Sequence, residues 1–236
     1  MKSDQELKLF STPQYPCSYL SGHIARNYVV DPNFSLNTTL YSNLIQMGFR
    51  RSGSQVYKPE CGQCKECISS RILVKNFTPS RSQRRNLKNN NDLSVIINTT
   101  GFKSSYIPLY ESYLLNRHEN NDTSNIEDFF EADWCDVHYI EFYEKANNQD
   151  SRLLGVAVVD ILENGLSSVY TFFHPEESKR SLGTFAVLWQ VSHAKKNNID
   201  FVYPGYWIKD CPKMNYKTRF QPLEGYFSGR WLPIKK

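Results

Sequence analysis

Three thiols at fixed spacing and a run of arginines just downstream are the residues of this chain best equipped for chemistry. Cys61, Cys64 and Cys67 form a C-x-x-C-x-x-C run, and Ser80-Arg81-Ser82-Gln83-Arg84-Arg85 follows within twenty residues. Thiolates are soft ligands, so these three, with Cys17 as a fourth, make a donor set for zinc or an iron–sulfur cluster. The triple spacing suits a cluster better than zinc, whose usual arrangement is two separated pairs. The alternative is a set of reduced thiols bracing a small loop-rich subdomain. Cys135 and Cys211 have no partner spacing and read as structural.

The basic run points to phosphate. Ser80 and Gln83 form an S-x-x-Q capping box, which starts a helix with Ser80 as its cap. Arg81, Arg84, Arg85 and Lys88 then fall at i, i+3, i+4 and i+7, one face of that helix. Like charges at those spacings repel, and cations near a helix N-terminus oppose the macrodipole. An anion placed there offsets both costs; an ordinary solvated basic face is the alternative.

Other candidates lie further along. Asp160 interrupts the apolar run Val156–Leu162, and a carboxylate in such a strand costs several kcal/mol unless it is paired. It is either an anchor for a substrate ammonium or a proton relay, or it pairs with a neighbouring arginine or caps the next turn. His174, closing Tyr170–His174, could handle a proton near neutral pH, although a lone histidine before proline is more often structural. His118, His138 and His193 have weaker cases. Arg180-Ser181-Leu182-Gly183 opens a helix whose backbone N–H groups suit an anion; close helix packing is the other use for Gly183. Phe185 follows where a coenzyme A loop needs a small residue, which argues against an acetyltransferase. In Tyr203–Lys217 aromatics alternate with lysines, as suits base stacking and phosphate contact or an aromatic core with a solvated fringe. No Ser-His-Asp order, Walker loop or H-E-x-x-H is present.

The elements that must position these groups follow from pattern. The chain has 236 residues, 40% of them hydrophobic, with fifteen tyrosines and a net charge of +4. That is enough for a packed core and excludes a disordered chain. No apolar run approaches ~18 residues, and Met1–Glu6 is too polar for a signal peptide, so a soluble, cytoplasmic protein is expected. Residues 1–100 carry 13 Lys/Arg against 6 Asp/Glu, residues 101–236 carry 15 against 18, and the tail 209–236 carries 7 against 2. A nucleic-acid footprint on part of the surface is the expected reason. Residues 1–78, irregular and punctuated by prolines, read as a small cysteine-bearing domain with one helix, 36–47, ended by Gly48. Residues 79–236 read as the second domain. It has a strand at 93–98, a helix at 102–118, an acidic Asn/Asp-rich stretch, strands at 137–144, 153–162 and 166–174, a helix at 182–196 and a strand at 201–203. Asn164-Gly165 marks a hairpin. This order, an α+β (mixed α/β) arrangement, is that of the acyl-transferase fold typified by the GCN5-related N-acetyltransferases.

Six segments together resemble one family. They are Tyr15-Pro16-Cys17-Ser18-Tyr19-Leu20, Cys61–Cys67, Ser80–Arg85, Ser167–Phe173, Arg180–Thr184 and Gly205–Lys217. In this order, over almost the whole chain, they resemble the arginyl-tRNA–protein transferase superfamily, and within it the short bacterial aspartate/glutamate leucyltransferases. The resemblance implies an acyl-transferase fold and transfer of leucine from leucyl-tRNA to the N-terminal amine of proteins beginning with Asp or Glu. That transfer marks them for degradation through the N-degron route. Arginyl-tRNA as donor, or a tRNA-binding module without catalysis, are the alternatives. Such a reaction requires no cofactor, because the ester is already activated and an α-amine of pKa ~7.7–8.0 is partly neutral. The site residues implied are Asp160 for the acceptor ammonium or a proton relay, Tyr170, and the Arg180–Gly183 loop for the ester end. Arg81, Arg84, Arg85 and Lys88 meet tRNA phosphates, and Lys213, Tyr216 and Lys217 hold the tRNA end or the acceptor's acidic side chain. Two positions depart from the family: His174 stands where an acidic residue is more usual, and Cys17 lacks the second cysteine of eukaryotic relatives.

Overall fold

The computed structural model describes residues 6–116, 125–144 and 151–235. The first unit is a four-stranded sheet of order β1-β4-β6-β5 with a short side ladder. Its strands are β1 (Leu9–Ser11), β2 (Tyr15–Pro16), β3 (Ile24–Ala25) and β4 (Asn27–Val30), then β5 (Arg50–Ser52) and β6 (Gln55–Pro59), with β2 and β3 forming the side ladder. Helix α1 (Thr38–Gln46) lies between β4 and β5. Asn37 caps α1 by accepting from the Leu40 N–H at 2.8 Å, and Gly48 at φ +91° turns the chain out of it. Tyr41, Leu44 and Ile45 on one face of α1 bury against Val30, Phe49 and Val56.

The second unit is an eight-stranded sheet of order β14-β13-β7-β12-β11-β10-β9-β8. In chain order its elements are β7 (Ile68–Leu73), α2 (Arg81–Asn89), β8 (Leu93–Asn98), α3 (Ile107–Leu115) and α4 (Ile126–Phe130). After them come β9 (Asp136–Glu144), β10 (Arg152–Ile161), β11 (Gly165–Phe173), α5 (Leu182–Lys196), β12 (Phe201–Trp207), α6 (Pro212–Asn215), β13 (Leu223–Phe227) and β14 (Arg230–Pro233). On β9, Tyr139 turns to Phe102 and Tyr106 while Phe142 turns to Phe185 of α5. Residues three apart on a strand face opposite sides, so helices cover both faces. The central strand β10 is accordingly apolar on both sides, with Leu154 through Asp160 all buried. Each fully buried Phe, Leu or Val contributes about 1.5–3 kcal/mol. Among the described residues no helix is long and apolar enough to cross a membrane.

The meander, the hairpin and α5 lie where the pattern puts them, with Leu162 N–H donating to Gly165 O at 2.9 Å across the turn. Gly165 is required by close approach, since a Cβ there would stand 2.6 Å from the Tyr203 ring. β7, within the 1–78 segment, pairs with both β12 and β13 inside the large sheet. Two expectations change in extent. The 102–118 helix begins as a 3-10 turn at Ser104–Tyr106, and α3 reaches Leu115. His118 and the acidic stretch at 119–122 lie outside the described residues. The strand at 201–203 continues to Trp207 through a bulge between Val202 and Gly205.

Candidate active site

The feature that makes room for chemistry is a parting of strands. β11 and β12 run parallel and pair only at Gly165↔Phe201, Leu166↔Val202 and Ser167↔Tyr203. Beyond them β12 bends away through its bulge, and Gly205 takes φ +90° with nothing within 4 Å of where a Cβ would be. β11 has its own bulge at Val169, between the pairs Val158↔Tyr170 and Val159↔Ser168. Among the described residues, the β12-facing edge of β11 from Ser168 onward therefore presents main-chain groups with no strand partner on that side. Such N–H groups, fixed by the sheet, are the usual means of stabilising an oxyanion.

Aromatic rings surround this part of β11. Tyr170 has ring neighbours in Tyr110 and Tyr113 of α3 and in Phe129 and Phe130 of α4, at 5.8–6.2 Å. Tyr113 also packs on Phe173 at 5.2 Å. The start of α5 adjoins the same end of β11: a Cβ on Gly183 would lie 3.5 Å from the Phe173 ring, an ordinary contact. Tight packing is thus not what calls for glycine there. Phe185 turns into the core against Phe142 at 5.2 Å, so it does not crowd the loop as its position in sequence implies.

Arg180 is a clamp. Its guanidinium binds Asp92 at 2.9 and 2.8 Å, Glu177 at 3.2 Å and Glu144 at 3.3 Å. Its carbonyl accepts from Asn86 of α2 and from Asn90, which caps the C-terminus of that helix, each at 3.0 Å. Ser181 then sits in the left-handed region at φ +51° and starts α5 without a side-chain cap. The Arg180 side chain is occupied by three carboxylates. Helix α2 is locked to the same loop. Its capping box is complete, with Gln83 N–H to Ser80 Oγ at 3.3 Å and Ser80 N–H to Gln83 Oε1 at 2.8 Å. Arg81, Arg84, Arg85 and Lys88 are all exposed and form no ion pair among the described residues. Polar Asn86 and Asn90 bind the protein while the basic face stays in solvent beside the start of α5.

Asp160 does not reach this opening. Its carboxylate is fully buried and held by Arg51 through Nε at 3.0 and 2.9 Å and Nη2 at 2.5 Å, with the Tyr41 hydroxyl donating at 2.7 Å. The pairing alternative is the one the structure adopts: Asp160 ties β10 to β5 and α1, and its oxygens have no room for a substrate ammonium. His174 is half-buried, and burial followed by Arg152 lowers its pKa.

The 203–217 block divides. Lys213 is exposed, but Lys217 is only 3% exposed, with Nζ 3.1 Å from Met214 Sδ and 4.9 Å from the Tyr216 ring centre. A surface phosphate contact is excluded for Lys217 by that burial. Desolvation, and then the nearby Arg50, push its ammonium down to about 7. Half-buried Tyr216 has Tyr113 as its electrostatic neighbour, which brings this segment to the aromatic wall. Sequence reasoning missed Arg50. Its signal is the pair Arg50-Arg51 inside a short strand, where alternation sends two cations to opposite faces.

Two family models cover the chain: "Arginine-tRNA-protein transferase, N terminus" over residues 15–85 and "Arginine-tRNA-protein transferase, C terminus" over residues 105–227. The chain belongs to the arginine-tRNA-protein transferase family. A curated aspartate/glutamate leucyltransferase of Saccharophagus degradans is 45% identical, covering 96% of this chain and 97% of that protein. Those of Teredinibacter turnerae and Pseudomonas putida are 44% and 43% identical, covering 97% of this chain and 95% and 97% of theirs. Among solved structures, L-PGS from Bacillus licheniformis aligns with a TM-score of 0.49 and 9% identity over 71% of this chain and 55% of its own, so the chain spans about half of that structure.

The four cysteines converge. Burial raises the Cys67 thiol to about 12, and Cys61, Cys17 and Cys64 add to the rise. All four are free and half-buried. As donors they suit zinc or an iron–sulfur cluster, yet among the described residues no three His, Cys, Asp or Glu side chains stand at ligating geometry. Cys61 Sγ instead lies 3.6 Å from Arg26 O, and Cys17 Sγ accepts from Tyr19 N–H at 3.4 Å.

Proposed function

We infer that this chain transfers leucine from leucyl-tRNA to the N-terminal α-amine of proteins beginning with Asp or Glu, in the cytoplasm, marking them for the N-degron route. The reading is supported above all by one arrangement: a solvent-facing basic helix fastened to the loop that starts α5, beside the opening between β11 and β12. In it the acceptor α-amine attacks the ester carbonyl carbon and a tetrahedral oxyanion forms. The C–O bond to the ribose then breaks, the ribose oxygen takes up the proton that the attacking nitrogen gives up, and an amide remains. No covalent enzyme intermediate is needed; alignment and oxyanion stabilisation supply the rate.

In this reading Arg81, Arg84, Arg85 and Lys88 hold tRNA phosphates and Lys213 assists at the acceptor end. The main chain of Ser168–Phe172 and the first turn of α5 face the ester, with Tyr170 walling the leucyl side chain. Cys17, Cys61, Cys64 and Cys67 would hold a zinc ion or cluster; such a group would clamp the loop and supply none of the transfer chemistry. The test offers purified protein tRNA charged with radiolabelled leucine or, separately, arginine, and peptides beginning with Asp, Glu or Ala. Label passing from leucyl-tRNA to the acidic peptides alone is the expected result. Label from arginyl-tRNA changes the donor, and no transfer by a folded, tRNA-binding protein leaves a binding module.

A further inference from the structure

We propose that Arg50 and Lys217 form the pocket that holds the side-chain carboxylate of the acceptor's N-terminal Asp or Glu, an assignment that rests on the transfer reading above. Both are buried cations, at 5% and 3% exposure. Buried cations are normally matched to carboxylates, because an uncompensated charge away from water is costly. Neither has one. Arg50 donates only to main-chain carbonyls, Phe49 O at 2.6 Å, Ser70 O at 3.2 Å and Ile45 O at 3.5 Å, and its Nε has no partner. Lys217 has the Met214 thioether and the Tyr216 ring. Among the described residues no Asp or Glu forms an ion pair with either.

Capping of carbonyls explains part of the Arg50 side chain and nothing of Lys217. A third donor stands by: Ser69 Oγ is buried without a partner, opposite Tyr206 in the β7–β12 ladder, and the Tyr206 ring centre is 5.7 Å from Arg50 Cζ. Arg50 is an electrostatic neighbour of Lys217, and these two cations with the unsatisfied Ser69 hydroxyl offer donors suited to a carboxylate.

The location fits the reaction. Arg50 Cζ lies 5.5 Å from the Tyr203 ring, and Tyr203 is the last β12 residue paired with β11. Gly205, half-exposed, begins the open stretch two residues on and faces Ser70, whose carbonyl Arg50 holds. A carboxylate seated there leaves the α-amine, only a few bonds away, at the parting of the strands where the ester is read. The four-carbon stem of a lysine accommodates both Asp and Glu, which differ by one methylene.

The experiment measures equilibrium binding of labelled peptides beginning with Asp, Glu, Asn or Gln, without tRNA, to the wild-type protein, Lys217→Met and Lys217→Arg. Thermal melts confirm that the variants are folded. Wild type should bind the acidic peptides at least ~10-fold tighter than their amides, as expected for a hydrogen bond to a charged group. Lys217→Met should erase that preference and leave the amide peptides within about twofold, and Lys217→Arg should keep much of it. Wild type without discrimination, or Lys217→Met retaining it, overturns the proposal. Parallel leucine-transfer assays separate the two readings. Transfer with a preference indifferent to Lys217 removes the pocket and keeps the reaction; Lys217-dependent binding without transfer does the reverse.

Discussion

Arg50 and Arg51 are adjacent on β5, both buried, and the fold treats them in opposite ways. Arg51 meets Asp160 through three contacts of 2.5–3.0 Å, and the Tyr41 hydroxyl completes the set. Arg50, facing the other side of the strand, finds carbonyls, tyrosine rings and a second cation. Inside a protein a cation whose counter-charge belongs to the chain is a fastening. One whose counter-charge is missing is available to a ligand, whose opposite charge would offset its desolvation. Here the fastening joins the small N-terminal sheet to β10, while the unmatched pair lies beside the parting of β11 and β12.

The largest effect should come from breaking the closed pair. Asp160→Asn leaves Arg51 buried without its charge and should cost about 3–5 kcal/mol in urea denaturation. The double variant Arg51→Met/Asp160→Leu should recover most of that loss. Full stability of Asp160→Asn with transfer abolished would instead return Asp160 to the chemistry and dissolve the contrast.

A middling effect of opposite sign is expected at the open pair. Lys217 has a folded-state value of about 7 against an ordinary 10.5, lowered by burial and then by Arg50, with Cys211 opposing. Between those values the unfolded chain binds more protons, so this group makes stability rise with pH. Lys217→Met removes a buried charge and should stabilise the fold by about 1 kcal/mol or more below pH 7. That gain should fade as the pH climbs toward 10.5, and chemical denaturation at pH 6, 8 and 10 reads the trend.

The smallest effect on stability is expected at the surface, where unmatched cations are hydrated. Arg84→Gln/Arg85→Gln should change the denaturation midpoint by less than about 0.5 kcal/mol. The same variant should weaken tRNA binding and flatten its log–log salt dependence by about 0.9 per lost phosphate contact. Arg180→Gln sharpens the contrast, since it frees three carboxylates while the bonds from the Asn86 and Asn90 side chains to the residue 180 carbonyl stay in place.

Local chemistry was legible wherever neighbours along the chain decide the outcome. The Ser80–Gln83 capping box, the helix ended by Gly48, the Asn164-Gly165 turn, the apolar β10 and the exposed α2 face all follow from residues within one or two turns or strands of each other. The order of those elements carries the mixed α/β outline by itself. Partner choice across the fold was another matter. Nothing near Asp160 in sequence announces Arg51, 109 residues earlier, and nothing near Lys217 announces Arg50. β7 escaped notice because Ile68-Ser69-Ser70-Arg71 is polar for a central strand, a cost met by Ser70 Oγ on Gly205 O and by Arg71 between Glu224 and the Phe201 and Trp231 rings. The sequence determined which charges exist and on which face of each element they stand. Only the tertiary structure decided which of them are cancelled, because burial and distance set the worth of a charge and both arise when remote strands meet.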